Sequence, residues 1–534
     1  MAEWLNVEGL GGIAVVVGYL DRRPGLAPRT GLPAGAPLDA AALLHGGRIV
    51  ITSAKHHLPN YGVFDEFRYF VPGNTLPVFR LPTDDGQSVE IAVAICEDLW
   101  QDGGPVAACR RSGAALLVVP NASPYERGKD DVRLELCVRR AREAGAALAY
   151  ANMIGGQDEL VFDGDSILVA ADGALLARGP QFSEALVVAD LDLPAASPDL
   201  GPEDQPVDAG DGSVITIKRV TLPPPEATGA SRVPEVDRPE DVDASGPFWP
   251  RLSDPAEVYA ALVTGVRDYV RKNRFRSVIL ALSGGIDSAL TATIAADAIG
   301  PGNVHVVLMP SRYSSEHSVT DAEDLVQRQG LHALTIPIAS MVDAFSKELA
   351  PAGFPETGLP AENLQARVRG VVLMGLSNAG GHLVLTTGNK SELATGYSTL
   401  YGDSAGGFGP IKDVLKTLVW ELSRWRNAEA ARQGATPPIP ENSITKPPSA
   451  ELAPGQMDTD SLPPYEVLDA LLDDYVEKDM GTAQLIAAGH DPALVERVVR
   501  LVDAAEYKRR QYPPGPKISQ KNFGRDRRLP ITNR

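Results

Sequence analysis

The segment Ser283-Gly284-Gly285-Ile286-Asp287-Ser288 stands between an apolar run at 277–282 and a helical pattern that continues to about residue 298. A strand, a glycine turn and a helix in that order leave few topologies open. A parallel neighbour can be reached only through a crossover of a dozen or more residues, usually a helix. The chain that follows keeps this rhythm. Val304–Leu308 reads as a strand, 321–329 as a helix, 334–337 as a strand and 341–349 as a helix. A longer helix at 361–378 and a strand at 382–387 come next. Upstream, Asp254 and Pro255 supply an N-cap and a first-turn proline for a helix to about Lys272. Alternating strands and helices imply a doubly wound parallel sheet, whose ligands bind beyond the strand C-termini. The glycine turn lies at such a place.

The first part of the chain is organised differently. Strand-like runs occur at 12–19, 91–95, 114–119, Ala147–Asn152 and 185–191, with a helical stretch at 131–144. This is a mixed α/β layer pattern. Residues 194–250 are rich in Pro and Asp and read as a linker or wrapping segment with one short strand at 214–220. A chain of 534 residues exceeds one core. The expected division is a first domain at 1–193, a linker at 194–250 and a second domain at 251–534. A second Pro-rich stretch, 436–448, reads as a loop.

Charge and cysteine usage narrow the partners and the setting. The net charge of −19 argues against a nucleic-acid partner, which calls for a basic face. No apolar run reaches the length of a membrane span, and residues 1–7 lack the basic region of a secretory signal. Cys96, Cys109 and Cys137 are too few for a disulfide framework and are not spaced for zinc. A cytoplasmic, reducing setting is expected.

The chemistry of the glycine turn can be read residue by residue. Gly284 and Gly285 let backbone approach a phosphate, and the helix behind them presents free N–H groups. Ser283 and Ser288 add hydroxyl donors, and Asp287 offers a hard oxygen for Mg²⁺. No Gly-Lys-Ser/Thr follows, so the turn is not a Walker loop. It resembles the signature of the ATP pyrophosphatases, which leave AMP on a substrate oxygen. Thr386-Thr387-Gly388-Asn389-Lys390-Ser391-Glu392 and Tyr401-Gly402-Asp403 follow in order, as do Ser449-Ala450-Glu451-Leu452, Tyr507-Lys508-Arg509 and Phe523-Gly524-Arg525. With Asn363-Leu364-Gln365-Ala366-Arg367, these segments resemble the bacterial NAD synthetases from about Asp254 onward. The resemblance implies ATP contacts from Leu282, Ser283, Gly284, Gly285, Ile286, Asp287 and Ser288, and from Thr387, Lys416 and Ser449. It implies Mg²⁺ on Asp287 and Glu392. Deamido-NAD is expected on Asn363, Glu392, Asp403 and Lys508. It also implies a homo-oligomer.

In the first domain, Lys55-His56-His57-Leu58-Pro59-Asn60-Tyr61 and Ile95-Cys96-Glu97-Asp98-Leu99-Trp100 stand out. A cysteine at a strand end is either a reactive thiol or a small buried apolar residue. The two segments together resemble the glutamine-amidase domain of the nitrilase superfamily. That resemblance implies Cys96 as nucleophile, Lys55 as oxyanion stabiliser, and Tyr61, Ser123 and Lys129 as glutamine contacts. Cys109 and Cys137 belong to no motif.

The implied fold is α/β: a nitrilase-like α-β-β-α sandwich, incomplete at its start, followed by a doubly wound parallel-sheet ATP-pyrophosphatase domain. The implied activity is ATP-dependent amidation of deamido-NAD, with ammonia drawn from glutamine. One departure stands out. The superfamily's general-base Glu lies further before the Lys than the 54 residues that precede Lys55. Glu97 is expected to face away from the thiol, and Glu66 to orient Lys55. Either the chain as given begins late, or its amidase is inactive and serves in assembly, with free ammonia as the nitrogen source. A different ATP pyrophosphatase acting on another carboxylate is a third reading.

Overall fold

The apolar run before the glycine turn is the strand Val278–Ala281, central in a four-stranded parallel sheet. The order across the sheet is His332–Thr335, Val304–Leu308, Val278–Ala281, Leu383–Val384. In chain order this is third, second, first, fourth, so the winding reverses between Val278–Ala281 and Leu383–Val384. A crevice opens at such a reversal. The helix after the turn, Ile286–Ile299, is Ala-rich and buried around most of its circumference, as expected of a helix apolar on every side. The computed structural model describes residues 1–24, 33, 35–83, 86–199, 201–223 and 248–532. They form two compact units, one of Met1–Pro124, Gly128–Ile154 and Phe162–Arg251, the other of Tyr125–Arg127, Gly155–Val161 and Leu252–Arg534.

In the second unit most expected elements fall within a few residues of their observed bounds. The strand expected at 382–387 is shorter: only Leu383–Val384 pair in the sheet. The chain then leaves the ladder towards the crevice, with Leu385 bridging to Phe408. The loop expected at 436–448 holds a short helix, Glu441–Thr445, whose Ser443 hydroxyl donates to the Gly284 carbonyl at 3.0 Å. A separate apolar cluster around Tyr465, Leu468, Val495, Val498 and Phe523 supports the C-terminal helices.

The first unit contains an eight-stranded mixed sheet. One face buries Leu117, Val119 and Leu148 against the helices Gly104–Ser112 and Lys129–Ala144, through Val106, Cys109, Leu136 and Cys137. Its other face packs Phe79, Ile91, Val93 and Leu116 against Ala41 and Leu43. Those two belong to an antiparallel three-stranded sheet, Val15–Arg22, Pro37–His45 and Arg48–Ala54. Leu20 and Ile49 of that small sheet are 67% and 55% exposed.

Two expectations for this unit change. Residues 185–191 are not a strand: they find no ladder partner, and Leu186 is 79% exposed. The Pro- and Asp-rich stretch carries a hairpin, Asp204–Asp208 with Val214–Thr221, and Val214–Thr221 lies parallel to Thr75–Pro82. Pro206 is accommodated because Asp204–Asp208 is the edge strand, where a missing donor costs no ladder bond.

A buried ion network holds the helix Lys129–Ala144 to the strands beneath it. Arg133 donates to both oxygens of Asp163 at 2.9 and 3.0 Å, and Arg178 donates to both oxygens of Asp165 at 2.6 and 2.8 Å. Arg133 is fully buried. Removing one partner of such a network strands the other charge. Arg133→Leu is therefore expected to destabilise this unit by about 3–5 kcal/mol, read as a lower urea midpoint. Asp102→Asn, at the 93% exposed end of an Arg140 pair, should leave it nearly unmoved.

Candidate active sites

Beyond the C-terminal end of Val278–Ala281 the second unit encloses a cavity of about 560 Å³. The glycine turn forms one wall. Gly284 has φ +80°, and a Cβ there would lie 2.1 Å from the Ser318 carbonyl oxygen. Only glycine fits this close approach. The turn is braced internally: the Gly285 N–H donates to Ser283 Oγ at 3.2 Å, and Ser288 Oγ donates to the Gly285 carbonyl at 3.0 Å.

The sequence-selected residues of this half converge on the cavity. Leu282, Ser283, Gly285, Ile286, Asp287, Ser288, Thr387, Lys416 and Ser449 line it, as do Asn363, Glu392, Asp403 and Lys508. Gly284 shapes the turn without lining the space. The Lys416 ammonium binds the Asp287 carboxylate directly, and Asn389 Nδ2 donates to the other Asp287 oxygen at 3.0 Å. Burial alone would depress the Lys416 ammonium, but Asp287 and Glu392 outweigh it and hold it above the ordinary lysine value. Glu392 caps its own helix, accepting the Asn389 N–H at 3.2 Å. Burial, then Asp287, drive its carboxyl well above the usual range. Two carboxyl groups opposed by one ammonium are short of positive charge. This hard-oxygen set fits a hard divalent cation.

At the other end, Thr399 ties two candidates together. Its hydroxyl donates to Asn363 Oδ1 at 2.7 Å and its N–H to Asp403 Oδ1 at 2.8 Å. Burial pushes the Asp403 carboxyl up to about 6. Lys508 donates to the carbonyls of Gly396 and Ser398, both at 2.7 Å, and burial lowers it. The sequence reading missed Arg369, Lys446 and Asp458, which also line the cavity. Lys446 adjoins the Ser449 segment, but its prolines pointed to a plain loop. Asp458 and Arg369 carry no motif signal.

The first unit holds a second polar site. Cys96 follows the strand Ser88–Val93 and opens a 3₁₀ turn, Cys96–Leu99, with φ +44°. A non-glycine residue in the left-handed region costs about 1–3 kcal/mol and persists only where its surroundings fix it. Asp98 does the fixing. One carboxylate oxygen accepts the Ile95 N–H at 3.0 Å, and the other accepts the N–H groups of His56 and His57 at 3.1 and 2.9 Å. The cysteine turn and the segment after Lys55 are thus clamped to one side chain. Burial raises the Asp98 carboxyl to about 6.

Lys55 is buried, with its ammonium 2.7–2.8 Å from Glu66 and 3.4 Å from Asp39. Burial disfavours its charge, but Cys96, Glu66 and Asp39 reverse the effect and raise it. The Cys96 thiol is pushed up by burial, against the pull of Lys55. Each group thus feels the other's charge. Glu97 is buried and engaged elsewhere, accepting from Tyr61 Oη at 2.9 Å and Gln101 at 3.1 Å. Ser123 is buried with its N–H on Asn152 Oδ1 at 2.9 Å. Lys129 donates to the Pro124 carbonyl at 3.0 Å and lies 5.5 Å above the Trp100 ring. Cys109 and Cys137 are core residues, each thiol pushed up to about 12 by burial.

A strand-end thiol with a buried lysine in the same unit, and a glycine turn at a sheet's switch point, define a carbon–nitrogen hydrolase unit joined to a nucleotide-dependent amide-forming unit. The Carbon-nitrogen hydrolase family matches residues 11–198, and the NAD synthase family matches residues 258–512. The glutamine-dependent NAD(+) synthetase of Thermotoga maritima is 42% identical over 530 residues, covering 98% of this chain and 85% of its own. That of Acinetobacter baylyi is 42% identical over 500 residues, covering 93% and 82%. The solved structure of the Acinetobacter baumannii glutamine-dependent NAD+ synthetase, in complex with adenosine diphosphate, has a TM-score of 0.63 at 39% identity, covering 98% of this chain and 84% of that one. The chain belongs to the glutamine-dependent NAD(+) synthetases. Its fold is α/β, a nitrilase-like unit followed by an NAD synthetase unit. No helix among the described residues is long and apolar enough to cross a membrane.

Gly284→Ala combines left-handed strain with a backbone collision. The ATP concentration giving half-maximal synthetase rate should rise about ten- to a hundredfold, the equivalent of about 1–3 kcal/mol. Unchanged ATP saturation would remove the turn from the nucleotide site.

Proposed function

We propose that this chain converts deamido-NAD to NAD, with the 560 Å³ cavity as the synthetase site and the Cys96–Lys55 pair as the source of ammonia. The observation that carries the reading is the meeting of the glycine turn, the Asp287–Lys416 pair and the Asn363–Thr399–Asp403 cluster around one space. A nicotinate carboxylate is a poor electrophile until it is activated. Its oxygen attacks the α-phosphorus of ATP, and pyrophosphate leaves. Ammonia then attacks the acyl carbon of the adenylate, AMP leaves with the bonding electrons, and the amide remains.

The turn's backbone N–H groups and Ser283 and Ser288 cradle phosphate oxygens. Lys416 offers a charged donor where negative charge gathers on the departing pyrophosphate. Thr387 and Ser449 supply further ATP contacts. Asn363, Asp403 and Lys508 hold deamido-NAD. Asp287 and Glu392 would hold Mg²⁺, which supplies charge neutralisation for the phosphates.

In the first unit, Cys96 Sγ forms a bond to the glutamine carboxamide carbon, the thiol proton passes to the amide nitrogen, which leaves as ammonia, and water hydrolyses the thioester to glutamate and the free thiol. Lys55, fixed by Glu66, stabilises the oxyanion. Tyr61, Ser123 and Lys129 contact glutamine. In this reading residues 1–193 form the amidase, with the hairpin of the 194–250 stretch extending its sheet, and 251–534 form the synthetase. The setting is cytoplasmic and the enzyme a homo-oligomer.

The test crosses two variants with two nitrogen sources. Cys96→Ala should abolish NAD formation from glutamine and leave the ammonium-supported rate within about twofold. Asp287→Ala should lower both rates about 100–1000-fold. Equal loss of both rates in Cys96→Ala would contradict the assignment of the thiol. Normal turnover in Asp287→Ala would contradict that of the synthetase site.

A further inference from the structure

The two residues after Lys55 belong to a cluster that the reaction does not use. His56 and His57 meet Asp211, which sits in the turn between Asp204–Asp208 and Val214–Thr221. Asp211 Oδ2 lies 3.0 Å from His56 Nε2 and 3.3 Å from His57 Nε2, and the three ligand atoms fall within 4.8 Å of one another. Bonds of 2.0–2.1 Å to a tetrahedral cation set ligand atoms about 3.3 Å apart. The two distances to Asp211 Oδ2 are close to that spacing.

Orientation points the same way. His56 Nδ1 is 2.7 Å from the Gly73 carbonyl oxygen. A carbonyl only accepts, so Nδ1 carries the hydrogen. In the neutral ring this turns the Nε2 lone pair towards the Asp211 carboxylate, acceptor against acceptor; the Ser213 hydroxyl, 3.3 Å from the same Nε2, makes its shorter contact with Asp211 Oδ1 at 2.6 Å. His57 Nδ1 is buried without a hydrogen-bond partner, 3.7 Å from Asp98 Oδ1. The His56 ring thus backs onto a carbonyl, as metal-bound histidines do, and both rings turn Nε2 to Asp211 Oδ2. Ser213 fixes the carboxylate through the other oxygen, donating from its N–H at 2.8 Å and its hydroxyl at 2.6 Å to Oδ1. Oδ2 is left for the imidazoles.

Space has been made for this pair. Gly104 has φ +59°, and a Cβ there would fall 2.4 Å from His57 Cε1. The three side chains are 10–19% exposed, so an ion reaches them from solvent and keeps a water. A proton is the competing occupant. A doubly protonated His56 would satisfy Asp211. With Nε2 of neutral His57 also donating, however, the lone pair on its Nδ1 would face the Asp98 carboxylate. A cation satisfies all three ligand atoms at once.

We propose that His56, His57 and Asp211 bind one divalent transition-metal ion of the Zn²⁺ class, with water in the remaining position. Two imidazoles and one carboxylate suit Zn²⁺ and Co²⁺, whereas Mg²⁺ and Ca²⁺ prefer oxygen-only sets. The bound ion joins the segment after Lys55 to the 208–213 turn.

The test uses the full-length chain without a histidine tag, stripped by chelator and titrated with Co²⁺. One equivalent should give the intense visible absorption of four- or five-coordinate Co²⁺, and one equivalent of Zn²⁺ should abolish it. Asp211→Asn and His56→Gln should each remove the band while ammonium-supported NAD formation stays within about twofold. Only the weak absorption of octahedral Co²⁺ in the unaltered chain would overturn the site, as would an intense band that survives both substitutions.

Discussion

The Asp287–Lys416 ion pair is the interaction on which the cavity of the second unit depends. It lies where the winding of the sheet reverses, and it joins the first helix after the glycine turn to the helix Lys416–Arg432. Buried charge of this kind is costly unless it is paired and hydrogen-bonded. The cost is met locally: Asn389 donates to Asp287, and Asn389 in turn caps the helix that carries Glu392. Three elements far apart in sequence are therefore held by one polar chain. Apolar packing alone would hold them near one another but would not fix a carboxylate and an ammonium in register.

Asp98 plays the equivalent part in the first unit. Its two oxygens take three backbone N–H groups from two segments, 55–57 and 95–98. Charge-assisted bonds of this type are stronger than neutral ones. They hold Cys96 in a left-handed conformation that the residue would not adopt freely. The strain at the thiol and the course of the segment after Lys55 thus have one cause.

Much of this was legible in the sequence where a physical period exists. The apolar runs around Val278–Ala281 and Val304–Leu308 and the capped helix Asp254–Lys272 stand close to where pattern reading sets them. The glycine turn could be located because its φ and its close approach to Ser318 admit no side chain. What was hidden has physical reasons too. The hairpin Asp204–Asp208 with Val214–Thr221 lies in composition that resembles a linker, because its outer strand is an edge and tolerates Pro and Asp. Asp458, Lys446 and Arg369 reach the cavity through tertiary packing, which leaves no periodic trace. Residues 185–191 show the converse error. Alternation alone suggests a strand, but a ladder needs a neighbour.

The two sites share a design and use it in opposite ways. Each sets one buried lysine against two carboxyl groups, Lys55 with Glu66 and Asp39, Lys416 with Asp287 and Glu392. Each is therefore short of positive charge. In the second unit's cavity, burial and then the Asp287 carboxylate hold the Glu392 carboxyl well above its usual range. In the amidase site the same deficit falls on a thiol. Glu66 and Glu97 add to the burial that keeps Cys96 protonated, and Lys55 opposes them. Burial thus disfavours a free thiolate, and in the proposed reaction the negative charge would pass to the substrate oxygen, towards Lys55, as the carbon–sulfur bond forms.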